Sequence, residues 1–231
     1  MEIITVNNIL VEVEWKQIKN IHLTVYPPDA RVHISAPVNM QADSIRLYII
    51  SKLEWIHKRM EMIRNQARQS EREYVSGENH YFKGIRYRLN VVYHQAPPVV
   101  KISGTQFINL YVRENATTEK RAEVMREWYR AELKETLKPL VEKWEDILQV
   151  QARHWEVKQM KTLWGSCNHK TQRIIFNLEL IKKPTHCIEY IVAHEMTHLQ
   201  ERLHNARFTA ILDAHIPNWR SLKNELNEFV V

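Results

Sequence analysis

His194-Glu195-Met196-Thr197-His198 is the most informative stretch of this 231-residue chain. Residues four apart share one face of an α-helix, so His194 and His198 can point two imidazoles at one ion. Glu195 is turned aside from that ion but within reach of a water beside it. The pentad is the H-E-x-x-H arrangement, in which the histidines ligate zinc and the glutamate acts as general base for peptide hydrolysis. Just upstream, Ile188, Ile191 and Val192 recur at helical spacing, as on a buried amphipathic helix. Thr185, after Pro184, is the expected N-cap.

Catalytic zinc takes three protein ligands and keeps one position open. His204 follows His198 after five intervening residues. In an unbroken helix it would stand about 15 Å along the axis from His194, on another face. The helix must therefore end between Leu199 and Leu203 and the chain must curl back, although neither Gly nor Pro marks a bend there. Glu201, Asp213 and His215 are the alternatives. His204 is preferred, because neutral imidazole suits Zn2+ and the span is short.

The composition narrows the function classes. At 44% hydrophobic and 26% charged residues, the chain reads as an ordinary globular protein able to bury a real core. It has only 4 glycines and no G-x-G-x-x-G or Walker sequence, which argues against a nucleotide-dependent mechanism. The start, Met1-Glu2-Ile3-Ile4-Thr5-Val6, does not read as a signal peptide, and no apolar run is long enough to span a bilayer. Cys167 and Cys187 are expected as free thiols in a reduced, cytoplasmic protein. The net charge of +6 and pI near 9.2 permit nucleic acid as a partner. A solvated helix face accounts equally well for Lys58, Arg59, Arg64, Arg68 and Arg72.

The chain reads as α+β, with a β-rich amino-terminal region over 1–115 and a zincin-like region with an active-site helix over 116–231. Ile9–Trp15, Ile21–Tyr26 and Arg31–Ala36 are predicted as an antiparallel unit, turned at Pro27-Pro28-Asp29. One long helix is expected from Asn39, with Ile45, Ile49, Leu53, Ile56, Met60 and Ile63 as its apolar stripe. A charged stretch over Gln66 to Glu73 follows. Tyr87–Tyr93 is a further strand, and Val99–Ile102 with Phe107–Val112 form a hairpin at Ser103-Gly104-Thr105. Thr117 or Thr118 caps a second long helix that Pro139 should bend or divide. Strands at His154–Lys158 and Arg173–Leu178 flank a turn at Trp164-Gly165-Ser166-Cys167. A strand just before the metal helix, as Arg173–Leu178 is, could pair with an extended peptide.

Trp164-Gly165-Ser166-Cys167, the H-E-x-x-H helix, and His204 with Phe208 together resemble the YgjP-like (DUF45) metallopeptidase domain. That family is related to the minigluzincin, SprT and Wss1-type zinc proteases. The resemblance extends over most of the chain, from the early Ile21-to-Ala36 strands and Leu53-Glu54-Trp55-Ile56 to Trp219-Arg220. It implies a zinc peptidase with His204 as third ligand. The chain departs from the family pattern in having Leu163 where members usually carry Arg, and Leu203-His204-Asn205 and Phe208-Thr209 around the third histidine.

The function expected is zinc-dependent hydrolysis of peptide or protein substrates, with Glu195 as base. A metal-binding module on nucleic acid, or a protease of DNA-bound proteins, are the other readings. Tyr190, His169 and Lys161 are candidate oxyanion partners, none of them assigned.

Overall fold

The computed structural model describes residues 2–26, 29–65 and 72–228. The expected turn at Pro27-Pro28 and most of the charged stretch, residues 66–71 with Arg68, lie outside them. The chain divides into two compact units, Met1–Arg68 and Gln69–Val231. The boundary therefore precedes the second sheet, rather than following it at residue 115 as read from the sequence. The reason is packing: the strands after residue 78 share a core with the carboxy-terminal helices.

In the first unit, β1 (Glu2–Val6), β2 (Ile9–Lys16), β3 (His22–Tyr26) and β4 (Arg31–Pro37) form one sheet in the order β1-β2-β4-β3. The sheet is mixed, not antiparallel, because β2 and β4 run parallel with Val11 opposite Val32. The two strands with the most deeply buried alternate residues, Val11 and Val13 against Val32, Ile34 and Ala36, take the centre. The more polar β3 is left at an edge. The single helix expected next is two, α1 (Ala42–Ser51) and α2 (Leu53–Asn65), broken at Lys52. Ile45, Ile49, Ile56 and Ile63 of the predicted stripe are buried, whereas Trp55 is exposed.

In the second unit, β5 (Asn79–Phe82), β6 (Ile85–Tyr93), β7 (Val99–Ser103) and β8 (Phe107–Val112) form a sheet in the order β5-β6-β8-β7. Strands β6 and β8 are again parallel, and β7 and β8 make the predicted hairpin. Helix α3 (Thr118–Leu148) starts at Thr117, whose side chain accepts from Lys120 N–H. It is not divided at Pro139 but continues as one helical element. Proline inside a helix costs about 3 kcal/mol. Burial of Leu133, Leu137, Val141 and Trp144 on either side of it opposes that loss.

The third sheet, β9 (His154–Lys158), β10 (Gly165–Asn168) and β11 (Arg173–Asn177), runs in the order β10-β11-β9. The expected turn at Trp164–Cys167 is thus largely an edge strand, antiparallel to β11. A 3-10 turn at Leu178–Lys182 leads into α4 (Thr185–Thr197), followed by α5 (Ala206–His215) and α6 (Trp219–Glu228). The residue preceding α4 is Pro184, so Thr185 is its first residue and makes no side-chain cap. The β5–β6 turn buttresses this junction: Lys83 and Gly84 donate to Ile181 O and Lys182 O at 2.8 and 3.1 Å. A Cβ on Gly84, whose φ is +82°, would come within 2.8 Å of Pro184 Cγ. No helix among the described residues is long and apolar enough to cross a membrane.

Candidate metal centre

Helix α4 is buried on nearly all sides, with Ile188, Val192, Ala193 and Met196 at 0% exposure. Packing therefore fixes its rotation, and with it the direction of His194 and His198. The helix ends at Thr197, earlier than the spacing argument required. Thr197 O then accepts from both Gln200 N–H and Glu201 N–H, and Leu199 N–H bonds to Met196 O. These tight bonds reverse the chain without Gly or Pro. Asn205 caps α5 by accepting from Phe208 N–H at 3.0 Å. His204 is held between the two devices.

The result brings together the three predicted histidines. His204 Nε2 lies 3.0 Å from His194 Nε2, and one nitrogen from each of His194, His198 and His204 falls within a 4.8 Å set that could hold a metal ion. His198 Nδ1 is 3.0 Å from Glu201 O. A carbonyl only accepts, so Nδ1 carries the proton and Nε2 keeps its lone pair. Burial pushes His194 down to about 3, with His198, His204 and Lys223 adding to the effect. His198 is also lowered, chiefly by burial, against the opposing Glu201 carbonyl. Neutral imidazoles with converging lone pairs are the donor set that zinc takes, at bonds of about 2.0–2.1 Å. The residues fit a metal.

The sequence alternatives lie elsewhere. Asp213 is engaged by Arg220 and by Trp219 Nε1 at 2.8 Å. His215 packs edge-on to Trp144, and the main chain of Glu201 serves His198. A second triplet, His186, Cys187 and Glu225, also falls within ligating distance. Its groups already partner one another or the backbone: His186 Nε2 is 2.8 Å from Glu225 Oε1, and Cys187 Sγ donates to Leu222 O. Both cysteines are free thiols.

Glu195 is 5% exposed and opens onto the same cleft of ≈ 1040 Å³. Burial raises its carboxyl to about 8. Its neighbour is Gly165, in the stretch expected as a turn. A Cβ on Gly165 would stand 2.6 Å from both Cγ and Oε1 of Glu195, so only glycine lets β10 lie against that carboxylate. The sole signal for this in the sequence is Gly165 itself, one of four glycines. Tyr190 and His169 also line the cleft, whereas Lys161 does not. His169 Nδ1 is 3.0 Å from His198 O and so braces the main chain at His198. The Tyr190 ring stacks on Trp219, and burial raises its phenol to about 12.

One similar solved structure is the crystal structure of the metallopeptidase zymogen of Methanocaldococcus jannaschii jannalysin. It is 20% identical, over 38% of this chain and 91% of that one, with a TM-score of 0.36. No curated protein matches the chain. A family profile described as YgjP-like, metallopeptidase domain, matches residues 19–229, and with the histidine cluster it supports a metal-dependent hydrolytic function. By that match over nearly its whole length, the chain belongs to the YgjP-like metallopeptidase domain family.

Proposed function

We propose that this protein is a zinc metallopeptidase of the H-E-x-x-H type, with His194, His198 and His204 as ligands and Glu195 as general base. The observation that carries the reading is the convergence of three imidazole nitrogens beside a buried carboxylate on one cleft wall. When bound, zinc supplies the Lewis acidity that polarises a carbonyl and makes water acidic near neutral pH. Glu195 takes the proton of the attacking water and passes it to the departing amine. Gly165 lets that carboxylate stand against β10 without displacement.

The strand offered to substrate is β10, not the Arg173–Leu178 segment expected for that role, which contains β11. Strand β11 lies between β10 and β9 and has partners on both sides. Among the described residues, strand β10 has a partner on one side only, and Gly165 to Asn168 all line the cleft. An extended peptide adding to β10 would gain main-chain hydrogen bonds and lie beside Glu195.

Glu195→Gln tests the reading. The variant should retain zinc at wild-type stoichiometry while peptide hydrolysis falls by about 10²–10⁴-fold. Wild-type turnover by zinc-loaded Glu195→Gln removes the base from the mechanism.

A further inference from the structure

The charge of the cleft is one-sided. Lys170, Arg202 and Lys223 line it, from the β10–β11 turn, the loop after α4, and α6 respectively. All three are exposed. None makes an ion pair or a side-chain hydrogen bond among the described residues, although thirteen ion pairs form elsewhere. Among the described residues Glu195 is the only carboxylate in the lining, and it is buried at the base position. Three cations without counter-ions among the described residues therefore line the cleft that holds the histidine triad, and a bound dication would add to the same field.

From this arrangement we infer that the substrates are acidic peptide segments, with Asp or Glu side chains flanking the scissile bond and Lys170, Arg202 and Lys223 selecting them. The inference rests on the peptidase reading above and names its substrate class. A basic segment would meet three like charges on entry, whereas an acidic one is drawn in and pairs with them. Exposed pairs contribute little singly, so the selectivity is collective and sensitive to salt. The cleft also carries Trp164, Phe208 and Trp219, which give apolar stems a surface between the charges.

The test uses the zinc-loaded full chain and three quenched peptides of equal length that are acidic, neutral and basic around one central sequence. The acidic peptide should be cut with kcat/KM at least about 10-fold above the basic one at low salt, and the gap should shrink as salt shortens the Debye length. The combined variant Lys170→Glu, Arg202→Glu, Lys223→Glu should invert the order while keeping its zinc. Equal cleavage of all three peptides, or a preference that survives charge reversal, overturns the inference and leaves the peptidase reading standing. A parallel measurement separates the two ideas: binding of the same peptides to zinc-loaded Glu195→Gln. Selective binding of the acidic peptide without cleavage by wild type supports the ligand class and removes the hydrolase. Binding of a single-stranded oligonucleotide with no binding of the acidic peptide overturns the inference in favour of a nucleic-acid ligand.

Discussion

Two histidines in the second unit, His80 (1% exposed) and His194 (half-buried), differ most in their partners. Both are driven toward the neutral form, His80 to about 4 and His194 to about 3, with burial the largest cause in each. The ring of His80 is answered on both sides. Its Nε2 is 3.2 Å from Glu78 Oε2, and its Nδ1 is 3.4 Å from the Tyr129 hydroxyl. The ring of His194 faces another imidazole nitrogen at 3.0 Å and buries Nδ1 with no partner. A buried polar atom without a partner costs about 1–3 kcal/mol. His80 is a structural histidine whose neighbours satisfy it. His194 belongs to a group of three imidazoles with one nitrogen each within 4.8 Å of the others, a set that could hold a metal ion. The direction of the pKa shift does not separate the two cases; the inventory of partners does.

The contrast can be broken most severely on the ligand side. His204→Ala removes one of three donors, so zinc affinity should fall by well over about 100-fold, the upper loss typical of second-shell changes. Metal analysis after dialysis reads this directly, and full loading of the variant would place the third ligand elsewhere. The same substitution should leave the His80 network untouched.

On the structural side the prediction concerns pH. The folded pKa of His80, about 4, lies below its reference value of 6.5. Between those values the unfolded chain binds more protons than the native one, so stability is present above pH 6.5 and lost as pH falls toward 4. At full effect the loss is about 3 kcal/mol. Urea unfolding of the chelated protein across that window, compared with His80→Gln, isolates this share from that of the triad. Parallel pH profiles for the two proteins would show that His80 is not titrating as described.

The smallest effect sharpens the picture of the loop. Asn205→Ala removes the cap of α5 and should cost about 1 kcal/mol in thermal unfolding. It should also weaken zinc binding modestly, because His204 is then less well held. Unchanged stability would mean that the turn bonds at Thr197 suffice to fix the reversal.

What was legible in the sequence follows a physical division. The pentad placed His194 and His198 on one helix face because helical geometry is local, and α4 formed where Ile188, Ile191 and Val192 repeat. The strands Ile9–Lys16, His22–Tyr26 and Phe107–Val112 were visible because alternation is local too. The directions of β2 against β4 and β6 against β8 were not visible, since strand pairing is decided by which residues a shared core buries. Strand β10 was read as a turn because Gly165-Ser166-Cys167-Asn168 has little strand propensity; its pairing with β11 overrides that preference. The path of His204 back to the triad had no Gly or Pro to announce it. It rests on Thr197 O accepting twice and on the Asn205 cap, bonds that exist only once α4 is packed. The pressing of Gly165 against Glu195 and the shared cleft of Lys170, Arg202 and Lys223 join residues far apart along the chain. The sequence by itself determined the chemistry that one helix can carry. Only the tertiary structure decided what surrounds that helix, because local spacing is set by backbone geometry and distant neighbours are set by burial.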